Sequence, residues 1–237
     1  MVDDRRTEIL NKLTPGATGA LRTRKLCEVC AEVTRTTGAG IMLMSGDSPQ
    51  GSACSSNDTS ALIERLQFDL GEGPCVDAYR TDRVVLEPDL AAPATPRWLA
   101  FSEPALTAGV RAVFGFPLRA GTARIGALNL YSDEPGLLTE DQHADALAMS
   151  DIAAQTLLAM QAAAPPGRLA PALEAGGNFP FVVHQASGMV AAQLGVTVGQ
   201  ALLRLRTHAF GNDQPLLDVA HAVVARELRF TDDIGSA

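Results

Sequence analysis

The alternation of apolar and polar positions divides the first 163 residues into helices and short strands. Apolar residues recur at helical spacing in residues 17–36, whereas GIMLMS at 40–45 is an apolar run bounded by glycines, which indicates a buried strand. The predicted strands are 40–45, 51–56, 83–87, 111–118 and 124–132. The predicted helices are 17–36, 59–67, a short one after the glycine turn at 71–73, 96–108 and 140–163.

The C-terminal part of the chain has a purely helical pattern. It predicts three short helices, at about 180–194, 197–210 and 214–226. Three prolines, at 165, 166 and 171, forbid an uninterrupted helix before them. We therefore predict three parts: an α+β domain at 1–163, an antiparallel sheet with flanking helices; a linker at 164–179; and a small all-α three-helix bundle at 180–230.

Charge is distributed unevenly between these parts. Residues 1–164 hold 14 Lys+Arg against 21 Asp+Glu, a balance of −7, and residues 165–237 hold 5 against 6, a balance of −1. The acidity argues against nucleic-acid binding over the whole surface. No stretch reaches the roughly 18 apolar residues of a membrane helix. The polar first twenty residues lack the apolar core of a signal peptide, so we expect a cytoplasmic protein without membrane contact.

Catalytic, metal or cofactor chemistry has no clear motif in the sequence. Cys27 and Cys30 form a C-x-x-C pair, but it lies within a predicted helix and no second ligand pair exists, so we interpret both as small apolar residues on a helix face. Four cysteines are too few to crosslink a chain of this length and fit a reducing compartment. No enzyme activity, metal or cofactor is expected.

Residues 1–163 resemble a GAF domain, a small-molecule sensor module of bacterial signalling. The motifs that carry the resemblance are GEGPCVDA at 71–78, PDL at 88–90, RW at 97–98, GVRAVFGFPLR at 109–119 and GALNLYS at 126–132. The resemblance implies a ligand pocket, for which the candidate residues are Met42, Cys75, Trp98, Phe101, Phe116 and Tyr131; ordinary core packing is the alternative. Helices 17–36 and 140–163 could both expose an apolar stripe, so we expect a homodimer through them. Some GAF-like enzymes reduce methionine sulfoxide, which makes Cys54 and Cys75 an alternative catalytic pair.

Residues 180–230 resemble an ANTAR domain, the RNA-binding three-helix module of transcription antitermination regulators. The matching motifs are Gln185-Ala186-Ser187-Gly188-Met189-Val190, then Ala201, Leu205-Arg206 and Ala209, then Leu216-Leu217-Asp218-Val219-Ala220 and Val223-Val224. Ser187 departs from the family, which usually has Lys there. The resemblance implies an RNA-binding surface, for which the candidates are Arg204, Arg206, His208, Ser187 and Gly188.

Helix 197–210 has a distinct apolar face and a mixed face. A helical wheel places Val198, Ala201, Leu202, Leu205 and Ala209 on its core side, and places Leu203 and Phe210 on the flank beside Arg206. An arginine beside exposed apolar residues suits RNA, because it pairs with phosphates and stacks on bases, but it equally suits a protein interface.

Together the two resemblances imply a regulator of the actinobacterial GAF–ANTAR type. It would sense a small molecule and bind an RNA hairpin. Because the tail offers few cations, RNA binding would need a dimer that presents two tails, or this chain has lost RNA binding. The alternative is a ligand-binding or protein-interaction module whose tail serves dimerisation.

Overall fold

The computed structural model describes residues 2–13, 20–46, 48–162, 164–165 and 168–231, which belong to two compact units. The first comprises Met1–Phe179 and the second Pro180–Ala237. We call them the sheet unit and the helical unit. Among the described residues no single helix is long and apolar enough to cross a membrane; one consecutive pair in the helical unit would suffice in length and apolarity, but the chain bends by 105° between its members.

The sheet unit is built on five antiparallel strands in the order β2-β1-β5-β4-β3. The strands are β1 Gly38–Ser45, β2 Ser48–Ser55, β3 Val85–Glu87, β4 Ala112–Ala120 and β5 Ala123–Ser132. The helices are α1 Val2–Leu13, α2 Ala20–Thr34, α3 Asp58–Leu70, α4 Pro74–Thr81, α5 Leu99–Thr107, α6 Glu140–Ala162 and α7 Pro171–Gly176. The predicted α+β class and antiparallel sheet are confirmed. Of the predicted helices, residues 17–19 and 163 lie outside the described residues.

The sheet buries a different set of side chains on each face. Alternate residues of a strand point to opposite faces, and those toward α2 and α6 form the apolar core. That core includes Ile41, Phe114, Phe116, Leu118, Leu128, Leu130, Leu26, Met149 and Ile152. The other face carries Asn129 and lies under α3 and α4. It is this second face that holds the buried polar groups described below.

Local sequence fixes the position of α3 over the sheet. Asn57 is the N-cap, and its side chain accepts a hydrogen bond from the Ser60 backbone N–H while the Ser60 hydroxyl accepts one from the Asn57 N–H. This reciprocal pair satisfies two backbone donors at the helix start. The helix ends at Gly71, whose left-handed conformation (φ 69°) favours glycine.

The predicted linker at 164–179 is packed on the sheet unit, so its description as a linker is corrected. Pro171 begins the short helix α7, and the apolar Leu173 is buried in the same core as α2 and α6. Asn178 then pairs with Ser52 on β2 through two backbone hydrogen bonds of 3.0 and 2.8 Å. The prolines do stop the long helix, as expected, but the chain folds back and buries its apolar residues. Pro166 lies outside the described residues.

A disulfide joins Cys27 on α2 to Cys54 on β2, which corrects the expectation of four reduced cysteines. The two residues are 27 positions apart in sequence, but packing of α2 on the sheet brings their Cα atoms to 6.1 Å, within the range of a disulfide. Cys30 and Cys75 are free and buried. Cys27 is thus not a simple apolar residue, whereas Cys30 fits that interpretation.

The helical unit contains three helices, α8 Phe181–Leu194, α9 Val198–Gly211 and α10 Leu216–Val224. Thr197 and Gln200 form a capping box that starts α9. Its buried residues are Ala201, Leu202, Leu205 and Ala209, as the helical wheel predicts. Val198, predicted on the same face, is 54% exposed. It is the first residue of the helix, one turn before the buried stretch begins.

Candidate functional site

The structure separates the six predicted pocket residues. All are buried, but Phe116 points to the α2–α6 face, where its ring contacts the His143 ring at 5.4 Å between centroids. Phe116 therefore cannot share a pocket with residues of the α3–α4 face. The expectation failed because strand register, not hydrophobicity, decides which face a residue occupies.

The other five predicted residues lie apart from the α2–α6 core. Met42 on β1 is paired with Ala127, whose carbonyl accepts a long hydrogen bond (3.9 Å) from the Cys75 thiol. Trp98 and Phe101 form an edge-to-face pair at the start of α5. Tyr131 packs on Gly38 and donates its hydroxyl hydrogen bond to Asn57 at the start of α3. The structure thus supports three small groups rather than one six-residue pocket.

A row of two glycines and an asparagine crosses the middle of the sheet. Asn129 on the central strand β5 is paired with Gly40 on one side and Gly115 on the other. Side chains at paired positions share a face, so the two glycines leave space on either side of Asn129. Glu64 of α3 occupies the space above Gly40, and the Pro74 carbonyl of α4 occupies the space above Gly115.

Three polar side chains are buried where α3 meets this row. Glu64 and Gln67 are three residues apart on α3 and so lie on the same side of the helix, and Asn129 lies on the sheet below. Their exposed fractions are 1%, 0% and 1%. We call these three residues the polar cluster. It was not predicted from the sequence, although a glutamate and a glutamine flanked by Ile63 and Phe68 on a short helix were the available signal.

Gln67 also fixes the beginning of α4. Its side-chain oxygen accepts a hydrogen bond of 2.8 Å from the backbone N–H of Cys75. The preceding Gly73 has φ 128°, which favours glycine, and a Cβ there would lie 2.6 Å from the Gln67 side chain. The GEGPC segment therefore serves to bring α4 close to Gln67 and the sheet.

Burial dominates the electrostatics of the polar cluster. It raises the pKa of Glu64 to about 8, although the nearby Asn129 amide and Ser52 hydroxyl favour the ionised form. Burial, and then the proximity of Glu64, raise the pKa of the Cys75 thiol well above its usual value. At neutral pH Glu64 is therefore largely an uncharged acid, and Cys75 is a thiol rather than a nucleophilic thiolate.

The proposed reductase pair of Cys54 and Cys75 is not formed. Cys54 is bonded to Cys27 in the apolar core on the α2–α6 face of the sheet. Cys75 lies on the opposite face, where its thiol donates to the Ala127 carbonyl. The two sulfur atoms belong to different environments, so the cysteine arrangement gives no support to reductase chemistry. No group of three or more His, Cys, Asp or Glu side chains within the described residues is arranged to hold a metal ion.

The segment leading into α5 is tied to the α3–α4 region by charged groups. The Glu72 carboxylate accepts hydrogen bonds of 2.8 Å from the backbone N–H groups of both Ala100 and Phe101. Trp98 donates its indole N–H to Asp77 on α4 at 2.8 Å, and the Arg97 guanidinium lies 4.5 Å from the Trp98 ring centroid. These contacts hold α5 against the α3–α4 region, beside the polar cluster. We call α5 the cover.

The predicted RNA-binding residues do not form one surface. Ser187 is buried, and its hydroxyl donates to the Val183 carbonyl at 2.7 Å, so it is removed from the candidate surface. The structural reason is its position on the side of α8 that packs in the bundle. Gly188 is exposed and has open space in front of it. His208 is half-buried, with its ring against the Phe230 ring at 5.4 Å.

The two candidate arginines of α9 are both partly exposed, but they leave the helix on different sides. Arg204 and Arg206 are two positions apart, and such residues do not face each other on a helix. Arg206 lies between Leu203 and Phe210, which are 62% and 70% exposed. We call Leu203, Arg206 and Phe210 the α9 stripe. In this stripe a cation and large exposed apolar groups occur together.

The predicted dimer helices α2 and α6 are partly covered by another helix. Helix α1, which was not predicted from the sequence, packs against both and buries Ile9. Arg5 pairs with Asp141 and Asp145 at 2.9 Å, and a cleft of about 860 Å³ with several acidic residues lies along these helices. α1 therefore covers part of the predicted dimer surface, while Leu147 and Leu158 of α6 remain exposed.

Comparison with known proteins agrees with this architecture. Residues 23–158 match the model of the GAF domain family, and because this is more than half of the chain, the chain belongs to that family. The ANTAR resemblance of the helical unit remains a prediction. No curated protein matches the chain in sequence.

Solved structures show the same fold at low identity. The GAF domain of a phosphoenolpyruvate-protein phosphotransferase from Acinetobacter is 13% identical, with 68% of this chain and 96% of that chain covered and a TM-score of 0.53. The corresponding domain from Coxiella burnetii is also 13% identical, with 68% and 95% covered and a TM-score of 0.52. At such identities the likeness concerns the fold alone.

Proposed function

We propose that the chain is a non-enzymatic regulator that senses a small molecule through its sheet unit and binds structured RNA through its helical unit. In this proposal the RNA is a leader hairpin, and binding favours the antiterminated transcript. A ligand acts by shifting the balance between states that differ in RNA affinity. The chain functions as a homodimer, so that two helical units engage one RNA.

The sensor role is supported by membership of the GAF family and by the buried polar cluster. Buried polar groups in a native protein usually have hydrogen-bond partners. Glu64, Gln67 and Asn129 carry buried atoms without such a partner among the described residues, and a ligand would supply one. The proposed sensor site is therefore the face of the sheet under α3 and α4.

The α9 stripe is the single observation that carries the RNA-binding role. Aromatic side chains stack on unpaired bases, and an arginine pairs with phosphate or stacks on a base. Phe210 and Arg206 offer both kinds of contact on one side of α9. Gly188 is exposed on α8, a helix that packs against α9. The helical unit carries a small net charge, so contacts of this kind have to supplement the attraction of phosphates.

The test is an electrophoretic shift of a structured leader hairpin with the full chain over a range of salt concentrations. Arg206→Ala is expected to weaken binding by roughly tenfold and to reduce the slope of log affinity against log salt by about one, the effect of one lost phosphate contact. Phe210→Ala is expected to weaken binding with little change in slope. Arg229→Ala, which replaces an exposed arginine outside the stripe, is the control.

Absence of any shift at low salt and high micromolar protein would remove the RNA proposal. An unchanged affinity in Arg206→Ala and Phe210→Ala would remove the α9 stripe as the contact surface. Circular dichroism of each variant checks that α9 is still folded.

A second function for the helical unit is favoured by the exposure of Leu203 and Phe210. Large exposed apolar groups often mark protein interfaces, so the α9 stripe is also suited to dimerisation of the tail. Light scattering distinguishes the two. If Leu203→Asp with Phe210→Asp converts a dimer to a monomer, the stripe is a dimer contact; if the dimer persists, the exposed face of α6 is the better dimer surface.

A further inference from the structure

The polar cluster contains five buried atoms without a hydrogen-bond partner among the described residues. They are both carboxyl oxygens of Glu64, the side-chain nitrogen of Gln67, and both the nitrogen and the oxygen of the Asn129 side chain. Burying such an atom without a partner is destabilising, because its hydration is lost and nothing replaces it. Three adjacent residues that share this property point to a missing binding partner rather than to a local packing fault.

The chemistry of the cluster limits what that partner is. Gln67 and Asn129 supply N–H donors, while Glu64 and Asn129 supply oxygen acceptors. The buried polar residues of the described chain include two acids, Glu64 and Glu87, and no Lys, Arg or His. An anion bound beside Glu64 would have no buried cation to neutralise it. A cation, by contrast, would be neutralised by the Glu64 carboxylate.

The glycines that flank Asn129 leave the sheet without side chains on either side of it, and the Glu64 side chain and the Pro74 carbonyl lie above them. The Glu64 side chain fills the position where a Cβ of Gly40 would be, at 2.6 Å from its Oε1 atom. A ligand at this position would need the Glu64 side chain to rotate away from Gly40, which would leave the backbone next to Asn129 accessible to it. α5, held by Glu72 and Asp77, packs against α3, the helix that carries Glu64 and Gln67.

We propose that the polar cluster binds a small organic cation with N–H donors, the headgroup of an amine or a guanidine. The Glu64 carboxylate pairs with the cation, the Asn129 side-chain oxygen accepts a second N–H of the ligand, and the amides of Gln67 and Asn129 donate to Glu64. The proposal rests on the sensor role proposed above and names the ligand class for that site.

Binding of the cation requires that Glu64 loses its proton to solvent. The O–H bond of the carboxylic acid breaks, the proton passes to the buffer, and the electron pair stays on the carboxylate that faces the cation. Other titratable groups near this face include the Cys75 thiol of α4, the Tyr131 hydroxyl, which donates to Asn57, and the Glu72 and Asp77 carboxyl groups, which hold α5. Burial raises the pKa of the Cys75 thiol well above its usual value, so the thiol keeps its proton and Glu64 is the source of the released one.

The experiment is titration calorimetry of the full chain with methylammonium, ethylguanidinium and the neutral acetamide, at about pH 6, 7 and 8.5, below and above the pH at which Glu64 ionises. Each titration is made in two buffers with different heats of ionisation, which counts the protons released. We expect at least one of the two cations to bind, with close to one proton released near neutral pH and an affinity that rises about tenfold per pH unit until Glu64 is ionised. Acetamide should not bind.

The variant Glu64→Gln keeps the shape of the side chain and removes its charge. It is expected to lose at least about tenfold in cation affinity and to release no proton. Asp58→Asn, which removes an exposed acid at the start of the same helix, should bind as the wild type does. Thermal unfolding confirms that both variants are folded. An infrared band of a protonated carboxylic acid, present in the wild type, absent in Glu64→Gln and lost when the cation saturates, gives a second readout.

Two results would overturn the inference: no saturable binding of either cation at the highest pH, or equal binding by Glu64→Gln. Either result leaves the RNA shift of the wild type unaffected, so it contradicts the ligand class and not the regulator. Loss of the RNA shift with intact cation binding would contradict the proposed regulator and leave the polar cluster as a cation site.

Discussion

At the scale of single residues, position in the fold changes the chemistry of ordinary side chains. Glu64 is a glutamate on an amphipathic helix, a residue type that is almost always exposed. Here the capped start of α3 and the bare backbone of Gly40 place it against the sheet, where burial keeps it protonated. Such a group makes stability depend on pH.

The Glu64 carboxyl has a raised pKa in the folded state, about 8 against an ordinary value near 4.5. The native protein therefore holds a proton that the unfolded chain releases, so the stability contribution is complete below about pH 4.5 and is lost as the pH rises to 8. We expect Glu64→Gln to be more stable than the wild type at about pH 8, by up to a few kcal/mol, and the difference to shrink toward about pH 5. Urea unfolding across this range measures it, with Asp58→Asn as the control. A difference that does not vary with pH would contradict the assignment.

At the scale of elements, sequence patterns predicted most helices and strands but not the contacts between them. The periodicity of 140–163 and the hairpin at 111–132 were visible because local spacing determines them. The burial of Ser187, the face of Phe116 and the meeting of Cys27 with Cys54 depend on contacts between distant segments. The polar cluster also depends on such contacts, because its residues come from α3 and β5, which lie in opposite halves of the sheet unit.

The disulfide between α2 and β2 is expected to stabilise the sheet unit. It closes a loop with a sequence separation of 27, and crosslinks of this kind contribute roughly 2–4 kcal/mol. Cys27→Ala with Cys54→Ala should lower the free energy of unfolding by that amount, and reductant should lower the wild type equally. Cys30→Ala, which removes a buried free thiol, should keep its sensitivity to reductant. Thiol titration in denaturant should find two free thiols before reduction and four after it.

Helix α5 is expected to depend on Glu72. Glu72→Ala removes two charge-assisted hydrogen bonds to Ala100 and Phe101, each worth about 1.5–3 kcal/mol at most. We predict a loss of roughly 1–3 kcal/mol in stability. Because Trp98 is the single tryptophan, its fluorescence emission should shift to the red as the cover loosens. Glu103→Ala, on the exposed side of α5, should change neither quantity. An unshifted spectrum in Glu72→Ala would show that these bonds do not hold the cover.

At the scale of the whole molecule, the boundary between the units lies later than the prolines indicate. Composition marked 164–179 as a connection, because prolines and glycines are frequent there. The structure assigns these residues to the sheet unit, in which Leu173 is buried and Asn178 is paired with Ser52. The family match covers residues 23–158 of the sheet unit, whereas the function of the helical unit is argued from its exposed side chains.

Fragments of the chain test this boundary. A fragment of residues 1–179 should unfold cooperatively, with a stability close to that of the sheet unit in the full chain. A fragment of residues 1–163 lacks Ala170, Leu173 and the Asn178 backbone pair, so we expect a loss of at least about 2 kcal/mol. Urea unfolding followed by Trp98 fluorescence compares the two. Equal stability would restore the interpretation of 164–179 as a linker.

The pairing of Asn178 with Ser52 has a consequence for solubility. β2 is an edge strand, and the unpaired backbone groups of an edge strand invite another chain to add to the sheet. Asn178 occupies the Ser52 backbone groups on the outer side of that edge, while the opposite edge, β3, has three residues. The returning segment therefore protects the sheet against edge-to-edge aggregation between molecules.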